Sequence, residues 1–163
     1  MALGVLTGSA AAQPVLRCTL SVPGHLAAGQ PLPLTLTLHN PGAQPVFVLR
    51  WGTPFEGRWM GASIQLTRDG QPLPYRGPLA KRGDPDASQY LRLAAGAQAS
   101  ATLDLALVFD LSAPGHYRLG GPWHLHDVFT ATQGRPPRLR ATHTALDLPC
   151  PALDWTLAPA GPG

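Results

Sequence analysis

Leucine occupies every second position from Leu32 to Leu38, with Pro33, Thr35 and Thr37 between them. Successive side chains of an extended chain point to opposite faces, so this spacing writes one apolar face and one polar face. A strand of that kind buries one side only, which points to an antiparallel sheet covering a core. Leu103, Leu105 and Leu107 alternate in the same way with Thr102, Asp104 and Ala106, and a strand is expected over 101–107. Further strands are expected over 15–22, 45–51, 62–68, 88–93, 116–119, 123–130 and 138–148.

Long helices are excluded by composition. The 163 residues include 18 Gly and 19 Pro, which interrupt the chain every few positions. The same residues supply turns: Asn40-Pro41-Gly42, Asp69-Gly70, Ala95-Gly96 and Pro114-Gly115. Asp-Gly is a strong hairpin signal because both residues tolerate positive φ. Short strands alternating with such turns predict an all-β fold, an immunoglobulin-like antiparallel β-sandwich, as one domain over 13–150. Residues 151–163 read as a Pro/Gly-rich tail, loose beyond Trp155. No apolar stretch reaches the roughly 18 residues needed to span a bilayer, so no membrane span is expected.

Lys and Arg number 12 against 9 Asp and Glu, a formal charge of +3. Lys81 is the only lysine and Glu56 the only glutamate. The basic residues are scattered, apart from Lys81-Arg82 and the group Arg135, Arg138 and Arg140. Nucleic-acid binders concentrate such charge in a stripe, so nucleic acid is not an expected partner.

Residues 1–12 are apolar and end in Ala10-Ala11-Ala12, which fits an A-x-A cleavage pattern. They read as a signal-peptide remnant, and the expected location is secreted or periplasmic; a plain N-terminal tail is the other reading. In an exported chain Cys18 and Cys150 form an even pair that predicts a disulfide, with two free thiols as the alternative. Their wide separation excludes a Cys-x-x-Cys zinc or redox motif.

His124 and His126 sit at i and i+2, so on a strand both imidazoles share a face and are candidate metal ligands. Asp127 adjoins them, and His116 or His143 could supply a third ligand. A solvent face that tolerates histidine accounts for the pair more simply, and no metal or cofactor is expected. Trp51, Trp59 and Trp123 read as packing residues. No Gly-x-Ser-x-Gly, activated cysteine or phosphate-cradling loop is present, so no enzyme activity is expected. The longest interruption is 76–87, RGPLAKRGDPDA, a loop long enough to carry function. Tyr75 reads as the ring that anchors it, and Lys81-Arg82 as its partner-facing charges, with a solvated Lys81 or a dibasic processing site as the other readings.

Several strings in order resemble a known family. They are Thr53-Pro54-Phe55-Glu56-Gly57, Arg68-Asp69-Gly70, Tyr75-Arg76-Gly77-Pro78-Leu79-Ala80-Lys81-Arg82, Leu93-Ala94-Ala95-Gly96, Asp104-Leu105, Phe109-Asp110-Leu111-Ser112 and Gly115-His116-Tyr117. Over about residues 15–148 the chain resembles the N-terminal pro-domain of deuterolysin-type (aspzincin) zinc metallopeptidases. The Tyr-x-Gly-Pro-x-x-Lys-Arg string is the most specific part. Ala95 departs from the Pro often found there. The resemblance implies a domain that assists the folding of a peptidase or holds it inactive. Tyr75, Gly77, Pro78, Lys81 and Arg82 are the candidate partner-binding residues, on the reading of this loop as a contact surface. The family's protease uses a His-Glu-x-x-His helix, and Glu56 has no histidine near it, so these residues cannot build that zinc site. The expectation is a stand-alone, non-catalytic, exported module whose partner is a peptidase, with zinc metallopeptidases the first candidates. The alternative is a cell-envelope structural or adhesion sandwich without a peptidase partner.

Overall fold

The computed structural model describes residues 4, 15–61 and 64–160. The leader expected over 1–12 lies outside the described residues, Gly4 apart, as do positions 62–63 of one expected strand.

The chain is all-β and antiparallel. Its strands are β1 (Arg17–Ser21), β2 (Pro33–His39), β3 (Val46–Leu49), β4 (Gln65–Arg68), β5 (Gln71–Pro72), β6 (Tyr90–Leu93), β7 (Gln98–Asp104), β8 (Gly115–Gly120), β9 (Trp123–Leu125), β10 (Val128–Thr130), β11 (Leu146–Leu148) and β12 (Leu153–Leu157). They pair as β1-β2-β7, β10-β3-β6, β11-β9 and β12-β8-β4-β5.

The leucine alternation seats β2 as the central strand of its sheet. Leu34, Leu36 and Leu38 are fully buried and Leu32 nearly so. On the opposite face the hydroxyls form cross-strand pairs, Thr35 with Thr102 at 2.8 Å and Thr37 with Ser100 at 2.7 Å. The leucines share one core with Leu66, Tyr117, Leu119, Trp123 and Trp155 from the other sheets. Asp69 and Gly70 both take positive φ, 49° and 82°, and join β4 to β5 as the Asp-Gly signal predicts. Leu36→Ala leaves a cavity in this core and is expected to cost about 2–5 kcal/mol. Urea unfolding measures it; a loss under about 0.5 kcal/mol, the surface range, would contradict the placement.

Four local expectations need correction. The strand expected over 101–107 ends at Asp104, and Leu105–Leu107 form a 3₁₀ turn. The Asp104 carboxylate accepts from Leu32 N at 2.8 Å and Ala106 N at 2.9 Å, which turns the chain and leaves Leu107 72% exposed. The segment 123–130 is two strands in two different sheets, divided at His126-Asp127. Over 138–148 only Leu146–Leu148 is a strand, preceded by a 3₁₀ turn at Arg140–Thr142. The expected tail supplies β12, which pairs with β8 in register Trp155 to Tyr117. Those two rings stack 5.9 Å apart, and Leu157 is buried.

Cys18 and Cys150 are bonded, with Cα atoms 5.0 Å apart. The bond ties β1 to the segment entering β12. No helix among the described residues is long and apolar enough to cross a membrane.

Candidate functional site

The 76–87 loop is anchored at its start by Tyr75. The phenol donates to Pro78 O at 2.7 Å, and the ring meets Phe109 edge-on at 5.9 Å. Burial pushes the Tyr75 phenol above its ordinary range. Gly77 passes beneath the ring. A Cβ there would lie 2.6 Å from Tyr75 Cζ and would also collide with Val108, so only glycine fits this close approach. Arg76 N donates to Val108 O at 2.7 Å. Tyr75 and Gly77 therefore set the shape of the loop, while the Pro78 ring and Leu79 face outward.

Lys81 and Arg82 do not share one role. Lys81 is exposed and in no ion pair among the described residues. Arg82 pairs with Glu56 at 2.5 Å and lies over the Trp51 ring, 4.8 Å from its centroid. Its side chain is only 20% exposed. The far end of the loop is fastened as well. Arg140 donates from Nη1 to Arg82 O, and from its backbone N to Asp84 Oδ1 at 2.8 Å. Asp86 and Gln89 form a capping box where the loop enters β6.

The loop and the histidine pair line one cleft. Leu79, Ala80 and Arg82 share a cavity of about 290 Å³ with His124, His126, Gly52 and Met60. Two features more than forty residues apart in the chain thus become one site. His124 Nδ1 lies 2.7 Å from Asp147 Oδ1 on the neighbouring strand. The His124 and His126 rings meet edge-to-face at 4.9 Å, and His126 meets Trp51 at 6.1 Å.

The third ligand considered for a metal does not complete a site with this pair, although His143 meets the same Trp51 ring as His126. His116 pairs with Asp154 at 3.0 Å, on the β8-β12 sheet. His143 lies 3.0 Å from Arg138 O, and Asp127 turns into the interior. Among the described residues no group of three or more His, Cys, Asp or Glu is placed to hold a metal ion. The cleft offers packing surface, imidazole rings and the Arg82 guanidinium. Burial holds the His126 pKa below 6.5, helped by the nearby charges of His124, Arg82 and His143. The unfolded chain therefore takes up this proton first as pH falls. Stability is expected to drop as pH falls through about 6.5 and to level off below the folded pKa. His126→Gln should flatten that part of the urea-midpoint profile; an unchanged slope would count against the assignment.

A network that sequence reasoning missed lies behind the cleft. Asp127, fully buried, accepts from Tyr90 Oη at 2.8 Å, Arg138 Nη2 at 2.7 Å and Thr144 N at 2.8 Å. Arg138 also stacks on Phe129, 4.3 Å from the ring centroid. Desolvation, then donation to Asp127, pushes the Tyr90 phenol up to about 12. The available signal was an acid set between the apolar strands Trp123–Leu125 and Val128–Thr130, a position that demands a buried partner. The three tryptophans read as packing are buried: Trp51, Trp59 and Trp123.

No family model matches the chain. An 86-residue stretch, 53% of the chain, is 37% identical to a protein of Aeromonas hydrophila named extracellular protease. The chain is similar to part of a protease. It spans only about a quarter of that curated relative, 24% of its length. Among solved structures, the ASH/PapD-like domain of human CEP192 (PapD-like domain 7) aligns over 98% of both chains with a TM-score of 0.41 and 13% identity. That likeness is too distant to carry an argument.

Proposed function

We propose that this chain is an exported, non-catalytic binding module that acts on a peptidase, inhibiting it or assisting its folding. The observation that carries the reading is the 37% identity over 86 residues to part of an extracellular protease. The 163 residues contain neither His-Glu-x-x-His nor Gly-x-Ser-x-Gly, which favours a service role over catalysis. The resemblance to deuterolysin-type pro-domains narrows the partner to a zinc metallopeptidase. The contact surface is the 76–87 loop, held by Tyr75 and Arg140 and presenting Leu79, 77% exposed, beside Lys81. A loop already held in shape loses little conformational entropy on docking.

The test adds the 163-residue chain in trans to deuterolysin-type metallopeptidases and to the Aeromonas hydrophila extracellular protease. Slower peptide hydrolysis or a higher refolding yield is expected. Leu79→Ser and Lys81→Ala should weaken the effect with unchanged thermal stability, since both side chains are exposed. Arg82→Ala should instead lower stability by roughly 1–3 kcal/mol, because it leaves the mostly buried Glu56 carboxylate without its cation. No effect of the wild-type chain in either assay would overturn the peptidase reading. An effect that survives both loop substitutions would retain the function and discard this surface.

A further inference from the structure

A second cavity, of about 220 Å³, is lined by Arg50, Trp51, Glu56, Arg58, Arg82, Ser88 and Gln89. Three arginines line it beside a single glutamate. That carboxylate is already engaged: Glu56 pairs with Arg82 and accepts from Gly52 N at 3.0 Å. Arg50 makes one long hydrogen bond, Nη1 to Phe55 O at 3.4 Å, and no ion pair among the described residues. Arg58 is exposed and likewise without an ion pair among them. Two positive charges of this lining thus have no counter-charge.

Two buried donors of the same residues lack an acceptor. Arg50 Nε and Trp51 Nε1 are both covered and both without a hydrogen-bond partner among the described residues. The indoles of Trp59 and Trp123, by contrast, each donate to a backbone carbonyl, at 2.8 and 3.1 Å. Trp155 shares the unpaired state but sits apart, stacked on Tyr117. Buried polar groups are ordinarily satisfied, and these two unpaired donors belong to residues that line one cationic cavity, where an acceptor would reach them after a small shift of the side chains that cover them.

We infer that this cavity is a carboxylate-binding site, taking an Asp or Glu side chain or the C-terminal carboxylate of a bound polypeptide. A planar monoanion suits it for two reasons. Guanidinium groups bind carboxylates through paired, charge-assisted hydrogen bonds. A phosphate dianion would lie beside the Glu56 carboxylate and be repelled more strongly than a single charge. Ser88 and Gln89 add polar groups on the remaining wall. The site stands apart from the peptidase reading, because it concerns the chemical group recognised and is tested with small molecules.

The experiment titrates the full 163-residue chain, followed through the Trp51 indole N–H resonance by heteronuclear NMR. The probes are N-acetylglutamate α-amide, which offers a side-chain carboxylate, and N-acetylalanine, which offers a terminal one. Their neutral amides and inorganic phosphate are run at matched ionic strength. A saturable shift with a carboxylate probe and none with the amides is expected; the tighter probe identifies the source. Arg58→Gln, at an exposed residue without an ion pair among the described residues, should weaken binding by about two- to fivefold. Arg17→Gln on the exposed side of β1 should leave it unchanged. Equal shifts from the amides, tighter binding of phosphate, no saturable shift with either carboxylate, or indifference to Arg58→Gln would overturn the assignment.

Discussion

Replacing both Cys18 and Cys150 by alanine is expected to lower the stability of the chain by about 4–5 kcal/mol. The bond closes a loop of 132 residues, nearly the whole described fold. Without it the unfolded chain regains the freedom of that loop, while the folded chain loses one link between β1 and the approach to β12. The loss is of the same order as the whole stability of an ordinary domain. The double variant should therefore unfold at much lower urea, and β12 should be the first element to lose amide protection, because among the described residues it is an edge strand laddered to β8 and the lost bond tethered its approach. The check is urea unfolding of the variant beside the oxidised chain, with thiol titration of unfolded, unreduced protein. Two reactive thiols in material from an oxidising compartment, or an unchanged midpoint, would reject the cross-link.

Asp127→Ala is expected to cost about 3–5 kcal/mol. The substitution deletes the acceptor shared by Tyr90, Arg138 and Thr144 and leaves a largely buried guanidinium without its counter-charge. The cost comes mainly from that abandoned charge rather than from the attraction of the pair. The double change Asp127→Leu, Arg138→Met should therefore recover most of the loss, since replacing a buried pair with apolar groups is often neutral. Equilibrium unfolding of the single and double variants gives the coupling directly. A double variant as unstable as the single one would mean that the site needs the charges themselves. Because the 138–144 segment also fastens the 76–87 loop through Arg140, Asp127→Ala should raise protease sensitivity around Arg82.

Much of the fold was legible because it is encoded between neighbours. The alternation at 32–38 defines a face whatever the rest of the chain does: β2 buries Leu34, Leu36 and Leu38, and Leu32 just before it is buried too. Asp69-Gly70 makes its turn through backbone preferences of two residues. Tyr75 was readable as an anchor because a ring beside Gly-Pro has little else to do in an exposed loop. The same local logic misread 101–107, where the alternation continues but Asp104 captures two backbone N–H groups and turns the chain. It also misread the last residues, where Pro and Gly on either side hid the alternation of Leu153, Trp155 and Leu157 that β12 buries.

The sequence by itself determined the fold class, the central strand, the tight turns and the pair of cysteines able to meet. Periodicity and turn chemistry act over a few residues, so one chain suffices to read them. Only the tertiary structure decided that Arg82 turns inward to Glu56 while Lys81 stays in water, that the histidines share a cleft with the 76–87 loop, and that Asp127 belongs to Arg138. Each of these depends on which distant side chains share a low-dielectric space. A charge leaves water only where a counter-charge or donor waits for it, and no local pattern records that. The cavity beside Arg58 has the same origin: three arginines that look scattered along the chain converge only when residues 50–58 and 82–89 pack together.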